Sequence, residues 1–285
     1  MTPSLPRVDP AELKKRLQHI IGERNPYSSP RHLAAVENYI EEEFRSIGLS
    51  LESDTFTYWG RSYRNIIART RANREGPMMI LGAHLDSVEG SPGADDNASG
   101  VAVLLEAARI LSGVKLQSPV LFCAFNLEEL NMIGSTHFAK KLKAEGARVK
   151  AMVSLEMVGY TEVRPGGQKY PAGLRWFYPE RGNFIGVVGN WRSASLLRQF
   201  TRSMRQIPGL PVETLTVLGN GLLIPQVRLS DHSPFWDLGY PALLVTDTAF
   251  FRNPHYHGPS DTLETLDLDF MAKVCQGVVA WVLNL

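Results

Sequence analysis

The sequence predicts an α/β fold of three layers, with helices on both faces of a central, mostly parallel mixed sheet. Three observations lead there. Short apolar runs alternate with amphipathic helical segments along most of the chain. Runs such as MMILGAH at 78–84 and PVLFCAF at 119–125 are almost continuously apolar, as strands covered on both faces must be. Histidines and carboxylates fall where those runs end, and open α/β sheets bind ligands outside the carboxyl ends of their strands.

The elements run in order. Residues 9–22 carry Leu13, Leu17, Ile20 and Ile21 at helical spacing. A second helix opens at Ser29-Pro30, a capping residue followed by proline, and runs to Ile47, where Gly48 stops it. Strands are expected at 51–58, 63–70 and 78–84, the last ending on His84. Ser99-Gly100 opens a helix over 101–111, followed by a strand at 119–125, a helix at 132–143 and a strand at 151–155 that leads into Glu156.

The stretch 161–183 breaks this rhythm. It is rich in Gly and Pro yet carries Tyr170, Trp176, Phe177 and Tyr178, which predicts a pocket wall rather than a linker. Strands at 184–188, 213–217 and 242–246 and helices at 193–204 and 268–283 complete the pattern. We read residues 1–285 as one domain, with 1–28 as an N-terminal helical segment and 161–183 as a loop insertion near the site.

Composition narrows the function. A chain of 285 residues with 44% apolar and 21% charged residues has ample material for a core. Its net charge is +1 and no strongly basic or acidic block occurs, so neither nucleic acid nor an anionic membrane surface is an expected partner. The two cysteines, Cys123 and Cys275, lie in apolar runs and read as buried free thiols. The first residues lack the continuous apolar stretch of a secretory signal. That makes a cytoplasmic location the expectation, although a secreted protein with its leader removed would read the same.

Five residues have the chemistry of metal ligands: His84, Asp96, Glu129, Glu156 and His257. Two imidazoles and three carboxylates suit a pair of zinc-like divalent ions; cobalt or manganese would also fit these donor types. His84 and Asp86 stand two apart at a strand end, so the Asp86 carboxylate can reach the imidazole and fix its tautomer. In PGADDNASG at 92–100, Asp95 or Asp96 could simply cap the following helix. Coupled to the preceding His-x-Asp, Asp96 reads better as a carboxylate shared by two cations. Glu128-Glu129 offers two carboxylates for two roles, Glu129 as ligand and Glu128 as general base. Glu156 is a charge inside the apolar segment VSLEM, and a buried charge requires a partner or a metal. Ser230 and His232, in SDH at 230–232, are candidates for supporting hydrogen bonds or for steadying a transition state. His19, His32 and His137 sit in helical contexts and read as surface or packing residues.

With these motifs assembled, the chain resembles the M28 family of zinc-dependent exopeptidases, typified by bacterial leucyl-type aminopeptidases. The resemblance runs from about residue 30 to the C-terminus. It rests on HLDS at 84–87, PGADDNASG at 92–100, NLEEL at 126–130, SLEMVGY at 154–160, SDH at 230–232 and YHGPSDT at 256–262. It implies the zinc-exopeptidase form of the α/β/α fold, with Asp96 bridging two zinc ions. His84 and Glu156 would complete one ion and Glu129 and His257 the other, with Glu128 as base and Asp86 behind His84. Two positions depart from the family pattern. Glu156 stands where aspartate is common, and Val227 stands where some members carry an oxyanion-stabilising tyrosine. Tyr256, His232 and Arg228 are the alternative oxyanion donors, and the second metal could also serve.

The implied reaction is hydrolysis of the N-terminal peptide bond of a peptide substrate. A single-zinc glutaminyl-peptide cyclotransferase and a carboxypeptidase of the same family are the alternatives. The sequence sets neither the side-chain preference nor the oligomeric state.

Overall fold

The computed structural model describes residues 7–70 and 76–284; residues 1–6 of the expected N-terminal segment lie outside that range. The chain begins with helices α1 (Pro10–Ile20) and α2 (Pro30–Ser46) and strands β1 (Ser50–Tyr58), β2 (Arg61–Arg69) and β3 (Met78–His84). Helix α3 (Gly100–Ser112), strand β4 (Val120–Phe125), helix α4 (Ile133–Ala144) and strand β5 (Val149–Glu156) come next. The chain closes with β6 (Ile185–Asn190), α5 (Ala194–Met204), β7 (Val212–Val217), α6 (His232–Asp237), β8 (Ala242–Thr246) and α7 (Leu268–Leu283). The expected boundaries agree to within about two residues for most elements. Helix α6 has no sequence-based range, only the reading of Ser230-Asp231-His232 as a helix cap: its six residues are too few to show a period.

The strands form one eight-stranded mixed sheet in the order β1-β2-β4-β3-β5-β8-β6-β7. Its centre, β4-β3-β5-β8, is parallel throughout. β1 and β2 join antiparallel at one side, and β6 runs antiparallel to β8 at the other. Alternate residues of each buried strand face opposite layers, which produces two cores. Leu81, Phe122, Val153 and Val245 pack with α1, α2, α3, α5 and α7 on the first face. Ile80, Leu121, Met152 and Leu244 pack with Phe138 of α4 and Phe235 and Trp236 of α6 on the second.

The helix ends are locally determined. Asp9 and Asp267 cap α1 and α7 by accepting from the N–H groups of Ala11 and Phe270. Both cysteines are buried and free. No helix of the described residues is long and apolar enough to cross a membrane. The parallel centre of the sheet is what gathers functional side chains, because its four adjacent strands deliver their carboxyl ends to one edge of the molecule.

Candidate metal centre

His84 ends β3, Glu156 ends β5, Glu128 and Glu129 follow β4, and His257 lies in the loop after β8. The loop 92–99 brings Asp96 between the two histidines. One Asp96 oxygen, Oδ1, lies 3.1 Å from His84 Nε2, and the other, Oδ2, lies 3.1 Å from His257 Nε2. Glu156 Oε1 is 3.2 Å from His84 Nε2, and Glu129 Oε2 is 3.3 Å from His257 Nε2. Glu128 Oε2 stands further back, 3.9 Å from His84 Nε2. Three groups are compact enough to hold a cation: His84–Asp96–Glu156, Asp96–Glu129–His257 and His84–Glu128–Glu129; the first two form half-sites that share Asp96.

The donor set fits divalent metal on physical grounds. Asp86, Asp96 and Asp231 are buried, as is Glu156, so the cluster concentrates negative charge where water is scarce. Glu129 Oε1 is buried without a hydrogen-bond partner. Burial, reinforced by the charge of Asp96, pushes the Glu129 carboxyl up to about 7. Burial also raises Glu128, despite the pull of His84. The histidines answer this deficit of positive charge. Burial disfavours a charged His257, yet its hydrogen bonds to Asp96 and Glu129 push it up to about 10. A site this short of cations, with imidazole and carboxylate donors converging, suits zinc-like ions.

Backbone geometry is unusual at the same places. Leu127 (φ 56°), Met157 (φ 50°) and His257 (φ 56°) adopt left-handed conformations beside or at the converging side chains. Non-glycine residues rarely do so, and such positions concentrate where surrounding contacts must aim functional groups.

The model of Peptidase family M28 matches residues 65–282. The chain belongs to peptidase family M28. It is 36% identical to the uncharacterized protein YfbL of Escherichia coli, over 99% of this chain and 90% of that one. A probable leucine aminopeptidase of Arthroderma otae is 32% identical over 70% of this chain and 52% of its own length. The chain thus spans most of YfbL and about half of the fungal protein. Among solved structures, an aminopeptidase from Aneurinibacillus sp. strain AM-1 superposes with a TM-score of 0.74 at 19% identity, covering 97% of this chain and 93% of that one. A glutaminyl cyclase of Porphyromonas gingivalis gives 0.69 at 22% identity, covering 96% and 95%. These likenesses establish the shared α/β fold, and M28 membership supports a hydrolase.

Within this site, Asp86 faces His84 as expected and has a second role besides. Its carboxylate Oδ1 is 3.6 Å from His84 Nδ1, whereas its peptide carbonyl is 3.2 Å away. The carboxylate also accepts the backbone N–H groups of Glu128 and Glu129. Neither Asp95 nor Asp96 caps α3. Asp95 ties the loop down through Gly159 N and Asn253 Nδ2, leaving Asp96 to face the histidines.

The oxyanion candidates separate clearly. Arg228 is turned away: it donates to the Asn220 carbonyl and to Asp237, an exposed partner its charge can pair with at low desolvation cost. His232 is buried, held neutral by burial that takes it down to about 3, with Nε2 committed to the Val227 carbonyl at 2.8 Å. Ser230 donates its hydroxyl to Glu156 Oε2 at 2.8 Å. Tyr256 stacks on His257 with ring centroids 3.7 Å apart and lines a cavity that also contains Glu156. Tyr170, Leu174 and Tyr178 of the 161–183 loop form part of the same cavity wall.

Two supporting residues escaped the sequence reading. Asp261 accepts the N–H groups of Asp95 and Asp96 with its two carboxylate oxygens, at 2.9 and 3.1 Å. Arg24 is fully buried and donates to the carbonyls of Gly22, Leu85, Pro92 and Gly93. A Cβ on Gly93, whose φ is 60°, would come within 2.6 Å of Arg24 Nη2, so this glycine makes room for the guanidinium. YHGPSDT signalled Asp261 only as part of a motif, and nothing local marked Arg24.

Proposed function

We propose that this protein is a metal-dependent aminopeptidase that removes the N-terminal residue of peptides, using two zinc-like ions and Glu128 as general base. The observation that carries the reading is Asp96, which offers one oxygen to each of two histidine-containing half-sites at 3.1 Å. A carboxylate placed that way joins two cations at short separation, as two-metal hydrolases require. His84, Asp96 and Glu156 would hold one ion, and Asp96, Glu129 and His257 the other.

When bound, the ions supply Lewis-acid polarisation of the carbonyl and lower the pKa of water toward neutrality. Glu128 lies beside both half-sites, and burial raises the proton affinity of its carboxyl, the direction a general base needs. It accepts the proton of the attacking water and returns it to the leaving amine as the peptide bond breaks. Tyr256 keeps its phenolic proton, since burial raises its pKa, and serves as the hydrogen-bond donor to the developing oxyanion. The free carboxylate oxygens orient the substrate's α-ammonium. The apolar cavity next to Glu156 receives the N-terminal side chain.

The test pairs metal content with turnover. The parent should hold two equivalents of zinc and cleave substrates with a free amino terminus. Glu128→Gln should retain both equivalents and lose about 10²–10⁴-fold in kcat. Near-parental turnover in that variant defeats the base assignment, and a single bound equivalent defeats the two-metal reading. Because glutaminyl cyclases share this fold, an N-terminal glutaminyl peptide belongs in the same panel; cyclisation without hydrolysis of other peptides would favour acyl transfer.

A further inference from the structure

The cavity beside the site has a floor built from one row of paired strand residues. Glu156 of β5 pairs with Thr246 of β8, Thr246 with Gly186 of β6, and Gly186 with Glu213 of β7. Directly paired residues project from the same face of a sheet, so this row runs without interruption from the candidate metal centre to the edge strand. Three strand spacings separate the Cα atoms of Glu156 and Glu213 by roughly 14 Å. The next row on that face begins at Ser154 and is apolar from there on: Leu244, Val188 and Leu215. Gly186, midway along, adds no side chain, so the floor stays open as a trough.

Tyr170 and Tyr178 wall this trough. Their rings stack 5.6 Å apart, and Tyr178 Oη donates to the Thr214 carbonyl at 2.8 Å, fixing the wall to β7 beside Glu213. Among the described residues Glu213 forms no ion pair. Arg205, the cation that attracts it, directs Nη2 to the Val212 carbonyl. Lys169 also borders the trough but is exposed. Burial raises the Glu213 carboxyl above its ordinary range, as expected for a charge waiting for a partner.

We propose that Glu213 is a specificity-determining residue that selects substrates whose N-terminal residue is arginine or lysine. The inference rests on the aminopeptidase reading, which seats the scissile bond at the Glu156 end. A long basic side chain lays its methylene stem along the apolar floor and brings its cationic tip to the carboxylate at the far end. Leucine or phenylalanine satisfies the floor yet leaves Glu213 partly desolvated and unpaired, a cost borne only by the wrong substrate.

The experiment measures kcat/KM of the zinc-loaded protein on arginyl, lysyl, norleucyl, leucyl and glutamyl coumarylamides. Norleucine matches the stem without the charge. The parent should favour arginyl and lysyl over norleucyl by about ten-fold or more. Glu213→Gln should lower the arginyl-to-norleucyl ratio by about ten-fold, and Glu213→Lys should lower it further while raising glutamyl relative to norleucyl. Each ratio is internal to one preparation, so loss of folded protein cancels. A parent indifferent to the charge, or an unchanged ratio in Glu213→Gln, overturns the assignment and leaves the aminopeptidase reading standing. Failure of the zinc-loaded parent to cleave any of the five overturns both.

Discussion

Asp86 holds Glu128 through the backbone: its Oδ1 accepts the Glu128 N–H at 3.0 Å, while Oδ2 accepts the Glu129 N–H at 3.2 Å. One buried carboxylate therefore fixes the chain that presents both the proposed base and one proposed ligand, and its peptide carbonyl steadies His84 at 3.2 Å. Asn at position 86 offers one accepting oxygen in place of two, so one N–H loses its partner. Asp86→Asn should lower kcat by roughly 10–100-fold and weaken zinc binding by a similar factor. Steady-state kinetics and a zinc competition titration check this; a variant matching the parent in both shows that the clamp is dispensable.

Tyr256 is the residue we propose as oxyanion donor, given that Arg228 pairs with Asp237 and His232 with the Val227 carbonyl. Removing the hydroxyl while keeping the ring preserves the stack on His257. Tyr256→Phe should lower kcat by roughly 10–100-fold with little change in KM, because the bond matters more in the transition state than in the bound substrate. A loss confined to KM would assign Tyr256 to substrate binding.

The strand ends were legible because burial on both faces leaves a continuous apolar run, and a charge terminating such a run is conspicuous. His84 and Glu156 were visible for that reason, and the Glu128-Glu129 pair after β4 for a similar one. Roles played through backbone groups were hidden. Asp86 read as a partner for the imidazole two residues away, and it lies 3.6 Å from it, but its bonds to the N–H groups 42 and 43 positions along had no local sign. Asp261 accepts from Asp95 and Asp96, 166 and 165 positions away, a closure that no local spacing encodes. Arg228 carried a suitable charge just before the SDH motif at 230–232, but the nearby carboxylate of Asp237 decided its direction.

Arg24 was the least visible of all, a cation outside every motif. It is buried completely, and burial lowers its pKa to about 10 against the attraction of Asp96, Asp86, Asp261 and Glu129. It therefore stays charged at neutral pH and fastens the loop that carries Asp96 by donating to Pro92 and Gly93. Arg24→Met leaves Pro92 and Gly93 only the backbone N–H groups of Gly22 and Ala98, loses the guanidinium bonds to the carbonyls of Gly22, Leu85, Pro92 and Gly93, and removes a positive charge from beneath an acidic cluster. The metal-free variant should lose about 3 kcal/mol or more of stability, a fall in Tm of roughly 6–12 °C. Thermal unfolding of the chelator-treated protein measures it, and a melt within about 2 °C of the parent would contradict the anchoring role.

Metal affinity should depend on pH with a definite sign. In the metal-free protein His257 holds its proton up to about 10, where hydrogen bonds to Asp96 and Glu129 outweigh burial. Burial and the charge of Asp96 keep Glu129 protonated up to about 7. A cation entering this half-site needs a neutral imidazole and an ionised carboxylate, so binding expels both protons below pH 7 and one proton between 7 and 10. Apparent affinity should accordingly rise with pH, by about 100-fold per unit below 7 and about ten-fold per unit above it, for the ion held by this half-site. Replacing Glu129 with Gln removes one of the two titrating groups and should reduce the steeper limb to about ten-fold per unit. Competition against a chromophoric chelator at about pH 6, 7 and 8, corrected for the chelator's own protonation, reads both slopes. Affinity that stays flat across that range would mean the His257 imidazole is already neutral before the metal arrives, and the charge deficit inferred for the cluster would then be wrong.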